Sequence, residues 1–246
     1  MITAAKSKRF SNLFYSYLKY YLLHKHFHNV YVEGDIDEDN QFPIIYIANH
    51  SSWWDGLLLF YVTKQQSNRD HYIMMDQQGL EQYGFFRKLG AYSINRYQPK
   101  AIVQALQYSE QLIQDHKAVW LFPQGEIQHQ DIRPYQLQSG LGYLIQRFEQ
   151  VRVKSVTFHY YFDEPQKPIA SIQFGEAILM NGKDHTRKEW TVYLEKVLQQ
   201  QADTHRLAVI NKRQKHQYPV MRQSKSTSDR LDALKNGVKK WTPFSS

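Results

Sequence analysis

A run of apolar residues without polar interruption, Ile44 to Ala48 in the segment PIIYIA, constrains this chain more than any other feature. Pro43 opens the run and Asn49 closes it, so it is strand-sized rather than helix-sized. A strand that is apolar at every position is buried on both faces, as in sheets covered by helices on each side. Similar short runs recur at His71–Met75, Ala91–Asn95, Ala118–Phe122, residues 153–162 (VKSVTFHYYF) and Ala170–Phe174, after a first strand NVYVE that ends at Gly34. Helical spacing separates them. Gly56–Thr63 is helical or mixed, Pro99 opens a helix faced by Ile102, Ala105, Leu106, Leu112 and Ile113, and further helices fall at Ser139–Gln150 and Trp190–Gln201. Strands alternating with helices predict a single α/β domain with a central, largely parallel mixed β-sheet flanked by helices.

Two segments flank residues 29–210, which carry this pattern. Residues 1–28 read as an amphipathic helical segment, with Leu13, Phe14, Tyr17, Leu18, Tyr21 and Leu22 at helical spacing. This segment suits a membrane interface or packing on its own domain. His24, His26 and His28 alternate within it, and a polar helix end accounts for them better than metal ligation does. Residues 211–246 read as a basic flexible tail, with nine basic residues against two acidic ones, +7 of the chain's net +8. Such a tail suits an anionic membrane surface, where each Lys or Arg contributes roughly 1 kcal/mol. A solvated tail with no partner explains the same charge. It contains no nucleic-acid module, so nucleic acid is not an expected partner.

The absence of cysteine excludes disulfides, zinc–thiolate sites and a Cys nucleophile. There is no run of about 18 apolar residues to form a membrane span. The start, MITAAKSKRF, has no apolar region of the signal-peptide kind. The expectation is a cytoplasmic protein, peripheral on the inner face of the membrane.

The chemistry points to Asn49-His50-Ser51-Ser52-Trp53-Trp54-Asp55. His50 follows a buried strand and precedes a turn, at the strand end where open α/β sheets gather ligands. A turn there folds Asp55 back onto the imidazole. A carboxylate that fixes the tautomer makes the ring a base for an alcohol proton. A His and Asp that only close a turn have the same spacing. A second pair, His71 and Asp76, starts and ends an apolar strand, where residues five apart face opposite ways. That pair should not meet.

NHSSWWD resembles the Asn-His-x4-Asp signature of the glycerolipid (lysophospholipid, PlsC-like) acyltransferase family. Further blocks follow in the family's order. LGAYSINR (Leu89–Arg96) is similar to the second, LFPQGE (Leu121–Glu126) to the third, usually Phe-Pro-Glu-Gly-Thr-Arg, and FGEAI (Phe174–Ile178) to a short late block. The resemblance covers roughly residues 29–180 and implies acyl transfer from acyl-CoA or acyl-carrier protein as co-substrate, with no further cofactor and no metal. It makes His50 the general base and Asp55 its orienting acid. Arg96, Gln124, Gly125 and Glu126 would bind the acceptor, while Asn49, Phe122 and Pro123 support the turn and oxyanion. Lysophosphatidic acid is the acceptor implied by default. Here Gln124 replaces the block's Glu, and Glu126-Ile127 replaces its Thr-Arg. Of the cations credited with holding phosphate, Arg96 alone matches, with Lys88 or Arg133 as possible helpers. These departures favour a non-phosphorylated acceptor, such as a glycolipid or glycosylated carotenoid, as the alternative. A catalytically silent membrane-binding module of the same fold is a further one, against which the retained His50 and Asp55 argue.

Overall fold

The computed structural model describes residues 1–37, 42–212 and 217–222. Eight strands form one sheet: β1 (Asn29–Glu33), β2 (Ile44–Ala48), β3 (His71–Asp76), β4 (Ala91–Ile94), β5 (Ala118–Leu121), β6 (Val151–Tyr161), β7 (Ile169–Met180) and β8 (Tyr218–Pro219). Their spatial order is β4-β3-β5-β2-β6-β7-β1-β8. Pairing is parallel from β4 through β6 and between β7 and β1. It is antiparallel for the β6–β7 hairpin and at β8. The sequence-level expectation of a mixed, largely parallel sheet holds.

Both faces are covered, as the unbroken apolar β2 requires. Ile44, Tyr46 and Ala48 face one core, with Trp120, Val156 and Phe158 beside them. Over that core lie α1 (Lys8–Tyr17), a π turn at Leu18–Leu22, α2 (Leu23–His26) and α3 (Trp54–Gln66). Ile45 and Ile47 face the other core, together with Val119, Leu121 and Val153. α5 (Pro99–Gln114), α6 (Gly140–Gln146) and α7 (Arg187–Ile210) cover this side, while the short α4 (Gln77–Gln82) follows β3. Burying each such Leu or Ile contributes about 1.5–3 kcal/mol.

The amino-terminal helices pack on the domain through Leu18, Leu23 and Phe27, all buried. Leu13, Tyr17, Tyr20 and Tyr21 stay exposed on their outer side. No helix among the described residues is long and apolar enough to cross a bilayer. Of the segment expected as a flexible tail, residues 217–222 return to the sheet edge. Val220 N–H donates to the Val30 carbonyl, and Val220 and Met221 are buried. Residues 213–216 and 223–246, and 38–41 of the acidic loop, lie outside the described residues.

Two helix bounds differ from expectation. α6 stops at Gln146, because the chain must turn before β6 begins at Val151. α7 runs on to Ile210, since Ala202, His205 and Val209 continue its buried face. A capping box of Thr186 and Glu189 fixes its start. The late block Phe174–Ile178 lies in β7, where Gly175 leaves room for Gln201. A Cβ there would fall 2.3 Å from Gln201 Oε1.

Candidate active site

The parallel strands β4, β3, β5, β2 and β6 end along one edge, and nearly every residue singled out by the sequence collects there. Asp76 closes β3, Arg96 follows β4, Phe122 follows β5, His50 follows β2, and Tyr160 lies near the end of β6. Ligand sites of open α/β sheets form at this edge.

At its centre, His50 Nδ1 lies 2.8 Å from Asp55 Oδ2. The intervening turn makes the contact possible. Backbone N–H groups of Ser51 and Ser52 donate to the same oxygen at 2.8 and 2.9 Å. Asp55 lies in the first turn of α3, where the helix dipole favours negative charge. Its other oxygen, Oδ1, accepts from the Tyr160 hydroxyl at 2.5 Å. Asp55 is fully buried, and a buried carboxylate is tolerated only when bonded in this way. Burial, and then the Asp55 charge, raise the Tyr160 phenol well above the ordinary tyrosine range, so it remains a donor.

The His50 ring stacks on Phe122 with centroids 4.1 Å apart and planes 15° apart. With Nδ1 turned to Asp55, Nε2 faces away from it and has no partner among the described residues. The side chain is 20% exposed. A neutral imidazole that donates from Nδ1 keeps its lone pair on Nε2, which is the atom able to take a proton.

The third block builds the wall. His50 N–H donates to Gln124 Oε1 at 2.7 Å, and Gln124 Nε2 donates to Gln128 Oε1 at 2.8 Å. Gln128 N–H closes the loop on the His50 carbonyl at 2.9 Å. Gln124 is 4% exposed with both amide ends engaged, so it fixes the His50 backbone. Gly125 N–H closes a turn on the Phe122 carbonyl at 3.0 Å. Gly125 has φ +82°, and the Arg96 guanidinium occupies the space beside it, 3.3 Å from where a Cβ would sit. The Pro123 carbonyl accepts from Gln138 N–H at 2.7 Å.

Asn49 is buried and acts as a strut. Its Oδ1 accepts from Phe158 N–H at 2.7 Å, and its Nδ2 donates to the Phe158 carbonyl at 3.1 Å. Gln130 does the same for Tyr160, at 2.9 and 3.0 Å. Because β2 has already ended, these amides replace the missing ladder partners of β6.

Arg96 has Asp76 as its charged neighbour, Nε to Oδ1 being 3.9 Å. Glu126 is exposed and accepts from Gln128 Nε2 at 3.3 Å. The two expected helper cations are engaged elsewhere. Arg133 pairs with Asp203 at 2.8 Å, and Lys88 sits over the Phe10 ring. His71 and Asp76 do not meet. His71 bonds Ser67 and accepts from Trp120 Nε1, while Asp76 caps α4 through Gln78 N–H. His26 packs against Trp54, and no group of three metal-ligating side chains occurs among the described residues.

Tyr160 and Gln130 are the site residues that motif reading missed. The available signal was the alternation in β6, which puts Val156, Phe158 and Tyr160 on one face of the strand beside β2.

The profile of the Acyltransferase family matches residues 29–160, more than half of the chain. Among solved structures, the fold is similar to the 1-acyl-sn-glycerophosphate (LPA) acyltransferase PlsC from Thermotoga maritima. The match has 15% identity and a TM-score of 0.55, over 80% of this chain and 77% of that one. No curated protein matches significantly.

Proposed function

The chain belongs to the acyltransferase family, and on that premise we propose that it transfers a fatty acyl group from acyl-CoA or acyl-carrier protein to a lipid hydroxyl, with His50 as general base. The supporting observation is the 2.8 Å contact between His50 Nδ1 and Asp55 Oδ2, which leaves Nε2 as the proton acceptor.

The acceptor hydroxyl gives its proton to His50 Nε2 as its oxygen attacks the thioester carbonyl. Asp55 stabilises the imidazolium that forms, and Tyr160 holds Asp55 in place. Collapse of the tetrahedral intermediate breaks the C–S bond, and the leaving sulfur takes the proton back from His50. The ester and free thiol are the products, and no acyl-enzyme is required, in keeping with a chain without cysteine. General-base catalysis of this kind contributes about 10²–10⁴-fold. The test is thiol release by purified protein given acyl-CoA and a lipid acceptor. His50→Ala should lose at least 10²-fold in kcat with its fold intact, and wild-type turnover by that variant would end the proposal.

The work site in this reading is the inner, anionic face of the cell membrane. Exposed Leu13, Tyr17, Tyr20 and Tyr21, interspersed with Lys19 and Lys25, suit headgroup depth, and the basic carboxyl-terminal segment adds attraction.

A further inference from the structure

We infer that the acceptor carries an uncharged, hydroxyl-rich headgroup rather than a phosphate monoester. This rests on the reading of the His50 cleft as an acyl-transfer site and adds the chemistry of its acceptor end.

The argument starts from a chain of side chains. His50 N–H is held by Gln124, Gln124 by Gln128, and Gln128 by the carboxylate of Glu126. A negative charge on an exposed side chain thus stands two amides from the base. On the other side of the Gly125 turn lies Arg96, packed against that glycine. Asp76 sits 3.9 Å from Arg96 Nε, and both side chains are about a third exposed. This cation is therefore already opposed by a carboxylate, and its buried Nε makes no hydrogen bond.

Lys100, exposed in the first turn of α5, is the cation nearest to Arg96 in sequence, and the other candidates are engaged elsewhere. Arg133 is held by Asp203 and the carbonyls of Gln130 and Ile132, and Arg87 Nε donates to the Thr3 carbonyl. Lys88 lies over Phe10. Arg96 and Lys100 thus stand against three carboxylates at this edge, Asp55, Asp76 and Glu126.

A phosphate dianion brought to this edge meets like charge and loses hydration without a clamp to replace it. Sugar or polyol hydroxyls fit the same groups. They donate to Glu126, Asp76 and the Gln128 carbonyl, and they accept from the terminal nitrogens of Arg96. Each hydroxyl both donates and accepts, which a mixed set of carboxylates, amide and guanidinium requires.

The experiment compares acceptors of equal alkyl chain: an alkyl glucoside, a lysophosphatidic acid and an alkyl ethanolamine, with acyl-CoA as donor and thiol release as readout. For the wild-type chain, kcat/KM with the glucoside should exceed that with lysophosphatidic acid at least tenfold. Raising salt should increase the rate with lysophosphatidic acid, by screening the repulsion, and leave the glucoside rate unchanged. The exposed pair Glu126→Thr with Ile127→Arg should move the preference at least tenfold toward lysophosphatidic acid. Equal or better use of lysophosphatidic acid or the amine by wild type, abolished in His50→Ala, overturns the headgroup inference and leaves acyl transfer standing. Absence of His50-dependent turnover with all three acceptors overturns both.

Discussion

Tyr160 donates to Asp55 Oδ1 at 2.5 Å, from the opposite side of the carboxylate to His50. The Asp55 carboxylate is thereby held at both oxygens, one from the turn and one from β6. A hydrogen bond to a charged group contributes about 1.5–3 kcal/mol. Tyr160→Phe should therefore keep the fold and lower kcat by roughly tenfold, with KM changing less than twofold. Steady-state kinetics with circular dichroism reads both. A change confined to KM would mean that Tyr160 touches substrate rather than orienting Asp55.

Gln124 offers a sharper separation of charge from geometry. Its Oε1 accepts the His50 N–H, a task a carboxylate oxygen performs equally well. Gln124→Glu keeps the acceptor for His50 N–H but loses the donor to Gln128. At 4% exposure it favours the protonated carboxyl, which can restore that donor, so it should cost less than Gln124→Ala. Gln124→Ala strands a backbone donor in a buried turn, at a cost of about 1–3 kcal/mol. Denaturant unfolding of the two variants checks the ranking, and equal stabilities would mean the Gln124 contact is not what fixes the turn.

These two residues also show what the sequence discloses. The strand-helix alternation and the unbroken apolar β2 were enough for the sheet, because burial on both faces leaves a pattern in hydrophobicity alone. His50 and Asp55 were legible because their partnership is local, five residues apart across a turn. Tyr160 and Gln130 were not, because their partners are distant in the chain, and a tyrosine in an aromatic strand looks like core. Gln124 was read through the family block as an acceptor ligand, and the block does not disclose the part its burial and paired amide give it in supporting the His50 backbone. The end of α7 was hidden by polar residues. Gln201 and His205 look solvent-facing until the hydroxyls of Ser155, Thr157 and Ser171 are seen beneath them.

The exposed aromatic side of the amino-terminal helices gives a prediction on location. Leu13 and Tyr20 are 69% and 71% exposed, so polar replacements there disturb no core. A buried leucine contributes about 1.5–3 kcal/mol, and full insertion of both residues would give more. Leu13→Glu with Tyr20→Glu should weaken binding to anionic vesicles at least tenfold without shifting Tm. Vesicle sedimentation measures the binding, and an unchanged bound fraction would remove these helices from the membrane contact.

The hydroxyls beneath α7 give the pH dependence. His205 is completely buried, with Nδ1 2.9 Å from Thr157 Oγ1 and Nε2 2.6 Å from Ser171 Oγ. Burial lowers its pKa to about 3, and the same cause lowers His71 to about 3. Both are neutral in the folded protein, whereas in the unfolded chain they protonate near the ordinary histidine value of about 6.5. Their contribution to stability is therefore complete above that value and is lost as pH falls toward 3. Each contributes a slope of about 1.4 kcal/mol per pH unit well below 6.5. Most carboxylates remain ionised down to about pH 5, so the interval from 6.5 to 5 isolates the histidines. Denaturant unfolding across it should show wild type losing stability steeply as acid is added. His205→Asn should be less stable at pH 7.5, yet lose about one proton's worth of that slope. Because α7 packs on β6, whose end carries Tyr160, activity should fail in parallel with this unfolding. A slope in His205→Asn equal to that of wild type would mean that the buried imidazole is not what acid attacks.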